Sequence, residues 1–465
     1  MAAGAAAWAL AGRGEATAPE SAPSIVVILT DDQRADTLSV MPTVQREIGE
    51  RGVSFANAFV VNPLCCPSRA SLLTGLYSHS TGVYLNTGAR GLPAFDEDST
   101  LATWLDEAGY ETAFVGKYLN GYARTEAPPG WDRWVAFTGT LDKGVPPNYF
   151  DYELTVDGER EAYGSAPGDY STDVLAQYAA DFIRDAEGPL FLVFAPFAPH
   201  AGPTEELVTT AATPAPRHAD ARVEHFPPRR FAHFDEADVS DKPPWVAVRP
   251  RIRGPELGAI TRLRQSQLAS LLAVDEAVAK LLRELRGGGR LGNTLVVYTS
   301  DNGQAWGEHR WRGKGLPYEE HIRVPLLVRY DAAATAGRIE RRQALNIDIA
   351  PTIAALAGLE APTFDGSDLA PLLRGEAAPW RRDFLVEHLG APPNPAVPSY
   401  CAVRSTDAVY VAYATGDEEL YDLAEDPLQL ENQAAEPSAE PALEDLRARL
   451  RELCRPPPPG MRLGG

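Results

Sequence analysis

Five short apolar runs, with helical stretches between them, constrain the fold more than any other feature of this chain. Ser24–Leu29 is continuous and rich in β-branched residues, the pattern of a strand buried on both faces, and it stops at Thr30-Asp31-Asp32. Glu111–Val115 stops at Gly116-Lys117, and Leu190–Phe194 runs into Ala195-Pro196-Phe197-Ala198-Pro199-His200. Thr294–Thr299 stops at Ser300-Asp301-Asn302-Gly303, and Pro325–Arg329 is a fifth run of the same kind. Between them, Thr100–Ala108, Thr172–Asp185 and Gln265–Leu285 carry helical periodicity, the last closed by Gly287-Gly288-Gly289. Strands alternating with helices predict an α/β fold, a large, mainly parallel sheet sandwiched by helices.

Asp31-Asp32, Lys117, His200 and Asp301-Asn302 each stand just past the C-terminal end of an apolar run. In an open α/β sheet that edge is where ligands bind. Three carboxylates and an amide oxygen gathered there make an oxygen-only site suited to calcium or magnesium, and without a cation their negative charge would repel itself. The residues alone leave a second reading open, with Asp31-Asp32 as a helix cap and Asp301-Asn302-Gly303 as a turn.

The chain divides into residues 1–23, an Ala-rich start; 24–376, the α/β unit; and 377–465, a smaller unit with a Pro-rich tail. In the last, Tyr400–Arg404, Ala408–Tyr413 and Glu419–Asp422 alternate as short strands before a charged helix over Pro441–Cys454. That pattern predicts a small C-terminal antiparallel sheet with a packed helix. Residues Thr204–Arg253 are rich in Pro and Arg and read as an extended surface insertion. Their Arg217, Arg222, Arg229, Arg230, Arg249, Arg251 and Arg253 form either a solvated loop, the favoured reading, or a face toward an anionic glycan.

A formal net charge of -21 argues against general binding to nucleic acid or anionic membrane. Beyond the Ala-rich start, no stretch approaches the ~20 apolar residues of a membrane span. That start has the apolar core of an export signal without a basic lead, so it reads as a signal remnant (periplasmic or extracellular export) or as a disordered tail on a cytoplasmic protein. Cys65, Cys66, Cys401 and Cys454 show neither a disulfide framework nor zinc-ligand spacing. On composition, Cys65 and Cys66 are a pair of buried thiols.

One segment decides between these readings. Cys65-Cys66-Pro67-Ser68-Arg69-Ala70-Ser71-Leu72-Leu73-Thr74-Gly75 resembles, at every defined position, the signature of the formylglycine-dependent sulfatases of the alkaline-phosphatase-like superfamily. The resemblance implies that Cys65 is oxidised to Cα-formylglycine by a maturation enzyme. It also implies that Asp31, Asp32, Asp301 and Asn302 hold calcium, magnesium being the alternative, together with the modified Cys65. By the same resemblance Arg69 holds the formylglycine, Lys117 in Gly-Lys-Tyr-Leu lies beside sulfate, His200 binds sulfate and Lys314 stands near the leaving group. Glu-Leu-Tyr-Asp-Leu-Ala-Glu-Asp-Pro at 419–427 is similar to the family's second domain, so the likeness spans about residues 24–430.

The chemistry of an aldehyde explains its use. A serine attacking sulfur would be left as a stable sulfate ester. An aldehyde hydrate offers one hydroxyl to attack sulfur and a second whose deprotonation expels sulfate and restores the aldehyde. Pro67 fits the first turn of a helix that would place position 65 at a positive helix end. His200 or Lys314 would protonate the departing oxygen, and Asp301 would accept the proton of the attacking hydroxyl. Many sulfatases carry a histidine where this chain has Leu119, which shifts proton transfer toward His200 or another residue. The local text looks most like N-acetylglucosamine-6-sulfatases and related glycosaminoglycan sulfatases, implying a sulfated sugar as substrate. His79 and His309 stand near motif ends as candidate substrate contacts, structural hydrogen bonding being the equal alternative, and Trp306 and Trp311 either stack on a sugar or pack their loop. Two further classes stay open: a phosphate or phosphonate ester hydrolase of the same superfamily, and a non-catalytic anion binder with an unmodified Cys65.

Overall fold

The computed structural model describes residues 22–140, 143–144, 147–202, 211–221, 223, 231–360, 362–390 and 397–463. The Ala-rich start up to residue 21 lies outside them, as do Arg222, Arg229 and Arg230. The large sheet is built from β1 (Ser24–Thr30), β2 (Val53–Phe55), β3 (Glu111–Gly116), β4 (Arg133–Phe137), β5 (Tyr152–Val156), β6 (Glu159–Tyr163), β7 (Leu190–Ala195), β8 (Thr294–Ser300), β9 (Leu326–Arg329) and β10 (Arg338–Glu340). Their spatial order is β10-β2-β9-β8-β1-β7-β3-β4-β5-β6. The four central strands β8, β1, β7 and β3 are mutually parallel, so all four of the polar strand ends read from the sequence emerge at one edge.

Period-two alternation sorts the central strands onto two cores. Val26, Ile28, Val115, Leu192, Phe194 and Val296 face one layer, with Leu175 and Ala179 of helix Ser171–Asp185 and Leu271, Val274 and Leu281 of the long helix Pro255–Gly287. Ile25, Val27, Phe114, Phe191, Val193 and Leu295 face the other, with Leu72 of helix Cys65–Thr74, Leu105 of helix Leu101–Glu107 and Ile353 of helix Ile349–Ala357. Burying both faces of each strand is what makes the runs continuously apolar.

Two elements differ from expectation. The fifth run, β9, pairs antiparallel with β8 and β2, because an apolar run carries no sign of its direction. The long helix begins at Pro255, after Gly254, rather than at Gln265. Proline is tolerated at the first helical turn, where its missing N–H has no partner to lose.

The C-terminal sheet is antiparallel, as expected, with β11 (Asp383–His388), β12 (Tyr400–Ser405), β13 (Ala408–Tyr413) and β14 (Glu418–Asp422) in sequential order. One face (Phe384, Val386, Tyr400, Val411 and Tyr421) packs on Phe59, Leu316 and Tyr318 of the larger unit. The other face (Leu385, Cys401, Val403 and Leu420) takes Leu443 and Leu450 of the helix Glu440–Leu453. There Cys401 and Cys454 form a disulfide with a Cα–Cα distance of 6.4 Å. The cysteine spacing shows no framework from which this bridge could be read; 53 residues separate the two cysteines, and the packing of helix on sheet brings them together. Among the described residues no helix is long and apolar enough to cross a membrane.

Candidate active site

Cys65 is the first residue of helix Cys65–Thr74, which ends at Gly75. Gly75 has φ 73°, and a Cβ there would stand 2.7 Å from the Phe364 ring, which explains the glycine that closes the signature. Gly116 has φ 132°, and a Cβ would stand 1.9 Å from the Ala195 carbonyl oxygen. Only glycine lets the chain turn so close to β7, and that turn delivers Lys117. The start of the signature helix is further held by residues with no signal in the sequence. The Cys66 N–H donates to Asn86 Oδ1 at 2.9 Å, and the Asn120 N–H donates to Cys66 Sγ at 2.9 Å.

The polar strand ends converge on Cys65. Its Sγ lies 2.8 Å from Lys314 Nζ, 3.6 Å from Lys117 Nζ and 3.6 Å from Asp31 Oδ1. Lys117 also donates to Asp31, and Lys314 to Asp32. Arg69 donates through Nε to Asp301 Oδ2 at 2.9 Å, bonds the Lys117 carbonyl, and holds Nη2 3.8 Å from Asp31. Asp32 adopts φ 65°, a left-handed conformation sparsely populated outside glycine, which clusters at functional sites. Its N–H donates to Asp301 Oδ1 at 3.0 Å, and Asn302 Nδ2 donates to its carboxylate at 2.6 Å. His200 Nδ1 must donate to the Ala201 carbonyl, 2.6 Å away, which leaves Nε2 facing Asp32 Oδ2 at 3.5 Å.

The charges are interleaved rather than self-repelling. Asp31, Asp32 and Asp301 are matched by Arg69, Lys117 and Lys314, three of each sign. This corrects the expectation that the acids would be uncompensated without a cation. Burial raises the Asp31 and Asp32 carboxyls, but neighbouring cations, Lys117 foremost for Asp31 and Lys314 for Asp32, override it and hold both below their ordinary range. Burial likewise opposes the charge of Lys117 and Lys314, yet the facing acids hold both above their ordinary range. The Cys65 thiol is pushed up to about 12, burial outweighing the two lysines.

The residues fit a hard divalent cation. Asp31 Oδ, Asp32 Oδ, Cys65 Sγ and a His200 ring nitrogen all lie within 4.8 Å of one another. The Asn302 amide oxygen is buried with no hydrogen-bond partner among the described residues, as a donor awaiting a cation would be. Asp301, expected among the ligands, spends one oxygen on the Asp32 N–H and the other on Arg69.

The remaining candidates find other partners. His309 is buried, with Nδ1 2.6 Å from Glu236 Oε2 and its ring 4.3 Å from that of Tyr318. His79 Nδ1 bonds buried Glu387 at 3.0 Å and its ring stacks on Tyr77. Trp306 and Trp311 are also buried, under Arg34 and Arg249 respectively. His309, Trp306 and Trp311 are enclosed by these contacts, whereas His79 is only partly buried. Of the insertion's arginines, Arg217 pairs with Asp173 and Glu276, and Arg251 with Asp235. Leu119 is buried beside Lys117.

The family model described as Sulfatase matches residues 23–359, and that of the N-sulphoglucosamine sulphohydrolase C-terminal region matches 307–455. Human N-acetylglucosamine-6-sulfatase is 32% identical over 88% of this chain and 80% of its own length. The Drosophila melanogaster extracellular sulfatase SULF-1 homolog is 32% identical over 81% of this chain, which spans only 34% of that relative. A solved structure of a protein bound to its substrate D-glucosamine-2-N,6-O-disulfate superposes with a TM-score of 0.81 at 26% identity, covering 93% of this chain and 98% of that one. The phosphonate monoester hydrolase of Agrobacterium radiobacter superposes at 0.70 with 22% identity over 93% and 95%, a likeness of fold.

Proposed function

We infer the function from one premise: the chain belongs to the sulfatase family and is a sulfuric ester hydrolase. Its substrate is a sulfated amino sugar of the N-acetylglucosamine 6-sulfate kind, cleaved at the ester. The observation that carries this reading is the placing of Cys65 Sγ, at a helix N-terminus, within 2.8–3.6 Å of Lys314, Lys117 and Asp31. That sulfur stands where the aldehyde-derived oxygens of a formylglycine would lie, and burial pushes the thiol itself up to about 12. Asp31, Asp32, Asn302 and the modified residue 65, with Asp301 freed on one oxygen, would hold calcium. When bound, the ion supplies Lewis acidity toward the sulfate oxygens and lowers the pKa of the attacking hydroxyl.

The chain's own groups then divide the work. Arg69 and Lys117 present fixed positive charge, in a buried site, to the oxygens of sulfate and of residue 65. Asp301 accepts the proton of the attacking hydroxyl. His200, with Nε2 turned inward, binds sulfate, and Lys314 meets the departing sugar oxygen. The catalytic unit is 24–376, and the C-terminal strands β11–β14 pack on it near the Lys314 loop. We include export in the reading: the Cys401–Cys454 disulfide belongs to oxidising compartments, and extracellular sulfatases are among the relatives.

The test uses protein co-expressed with a formylglycine-generating enzyme. Mass analysis of the Cys65 peptide should show the aldehyde, and the protein should hydrolyse N-acetylglucosamine 6-sulfate and prefer aryl sulfate to aryl phosphate. Cys65→Ala should fold and turn over nothing. A clear phosphate preference, or activity retained in Cys65→Ala, would overturn the reading.

A further inference from the structure

The loop that carries Lys314 is held from two sides: Arg312–Gly313 pairs antiparallel with Ala305–Trp306 of the larger unit, and the residues after the lysine bond to the C-terminal sheet. Beside the lysine, the Gly315 carbonyl accepts from Tyr400 Oη at 3.2 Å. A Cβ on Gly315 would stand 3.7 Å from His388 Cε1, and the His388 ring stacks on Tyr400 with centroids 5.4 Å apart. Farther along, the Glu319 N–H donates to Gln429 Oε1 at 3.0 Å, and Arg404 Nε donates to Glu319 Oε1 at 3.0 Å.

Tyr318 lies between these points. Its hydroxyl donates to Glu419 Oε1 at 2.7 Å, and the same carboxylate accepts from Tyr421 at 2.6 Å and, through Oε2, from Tyr413 at 2.6 Å. Glu419 has no exposed surface. A buried carboxylate holding three hydroxyl donors is a costly arrangement unless every bond is kept, so it fixes its partners closely. Two of those partners are strand residues of the C-terminal sheet; the third is the Lys314 loop.

We propose that Glu419 is a positioning residue for Lys314: through Tyr318 it fixes the loop that presents the ammonium to the leaving oxygen. This rests on Lys314 meeting that oxygen in the function inferred above. Its consequence is selective. An ammonium at the leaving oxygen matters most when a sugar alkoxide departs and least when a stabilised phenolate departs, so displacing Lys314 penalises poor leaving groups. A general loss of stability or of matured residue 65 would depress both substrates alike.

The experiment compares kcat on N-acetylglucosamine 6-sulfate and on an activated aryl sulfate for matured wild type, Tyr318→Phe, Glu419→Gln, Lys314→Ala and Tyr318→Phe/Lys314→Ala. Tyr318→Phe keeps the ring and removes only the hydroxyl, so it carries the test if Glu419→Gln fails to fold. Misplacing a catalytic group by about 1 Å costs up to ~100-fold; Tyr318→Phe should lower kcat on the sugar sulfate by about 10-fold and on the aryl sulfate by under about 2-fold. KM should hardly change, and the double variant should lose no more than Lys314→Ala. If Lys314→Ala itself shows no preference for the better leaving group, the role given to Lys314 fails. If Lys314→Ala shows it while Tyr318→Phe depresses both substrates equally, or adds fully to Lys314→Ala, Glu419 merely stabilises the fold and the positioning role is overturned.

Discussion

Removing the Cys401–Cys454 bridge tests whether the C-terminal sheet and its helix are locked by covalent constraint as well as by packing. The bridge ties β12 to the end of helix Glu440–Leu453 across 53 residues of sequence. In the chain-entropy account, closing a loop of that length removes about 14 cal/mol/K from the unfolded ensemble, or about 4 kcal/mol at room temperature. The native contribution is separate: Leu385, Val403, Leu420, Leu443 and Leu450 still pack around the vacated sulfurs, so the fold should survive. Cys401→Ala/Cys454→Ala leaves no unpaired thiol at the site. Urea unfolding followed by circular dichroism, with hydrogen exchange read across residues 400–453, should show the C-terminal elements less stable by about 4 kcal/mol. Because the constraint acts on the unfolded chain, kcat without denaturant should stay near wild type and fall at lower urea. A loss under about 1 kcal/mol would refute the reasoning, as would a fall in kcat with exchange unchanged.

Three other outcomes follow from the charge arrangement. Arg69→Ala strips a buried guanidinium from Asp301 and Asp31, and should cost about 3–5 kcal/mol in calcium-free protein; excess calcium should recover part of it, and equal melting temperatures with and without chelator would contradict this. Asn302→Leu removes a buried oxygen at the site that has no partner among the described residues and should weaken calcium binding by about 10-fold or more in calorimetry, whereas unchanged affinity would exclude it as a ligand. Asp31 is held below its ordinary value of 3.8, burial being outweighed by Lys117, His200 and Arg69. A carboxyl depressed on folding contributes stability that is present above the unfolded value and lost as pH falls toward the folded one. In chelated protein, Asp31→Asn should therefore be less stable than wild type at neutral pH, with the two urea midpoints converging below about pH 4; parallel curves would refute it.

How much of this was legible depends on range. The central strands could be read because burial on both faces makes each run apolar, and their polar ends could be read because an apolar run stops where ligands begin. Parallel pairing then carried Asp31, Lys117, His200 and Asp301 to one edge with no further information. The direction of β9, the early start at Pro255 and the disulfide were not legible, since each is decided by what the segment packs against. The left-handed Asp32 gave no signal either, because an aspartate after a strand reads equally as cap, turn or ligand. The expected self-repulsion of the acids failed for the same reason. The compensating lysines, Lys117 and Lys314, are 86 and 282 residues from the acids they meet.

The two sides of the site are built on different supports. Cys65, Arg69, Lys117 and the acids stand on the parallel strands and the signature helix, where a shift of one residue would exchange the side chains packed into the two cores. In the proposed function the chemistry common to all sulfate esters, holding the sulfate and attacking sulfur, thus falls to residues set by the core of the fold. Lys314, which the proposed function sets at the leaving oxygen, stands on a loop that pairs with Ala305–Trp306 on one side and bonds Tyr400, Glu419 and Gln429 of the C-terminal elements on the other. Changes in those elements can therefore reshape the leaving-group side at little cost to the nucleophile. The complementary experiment is substitution in the core beneath the site: Val193→Ala, in the buried face of β7, should lower stability by about 1–3 kcal/mol and depress sugar and aryl sulfates in equal proportion, unlike Tyr318→Phe.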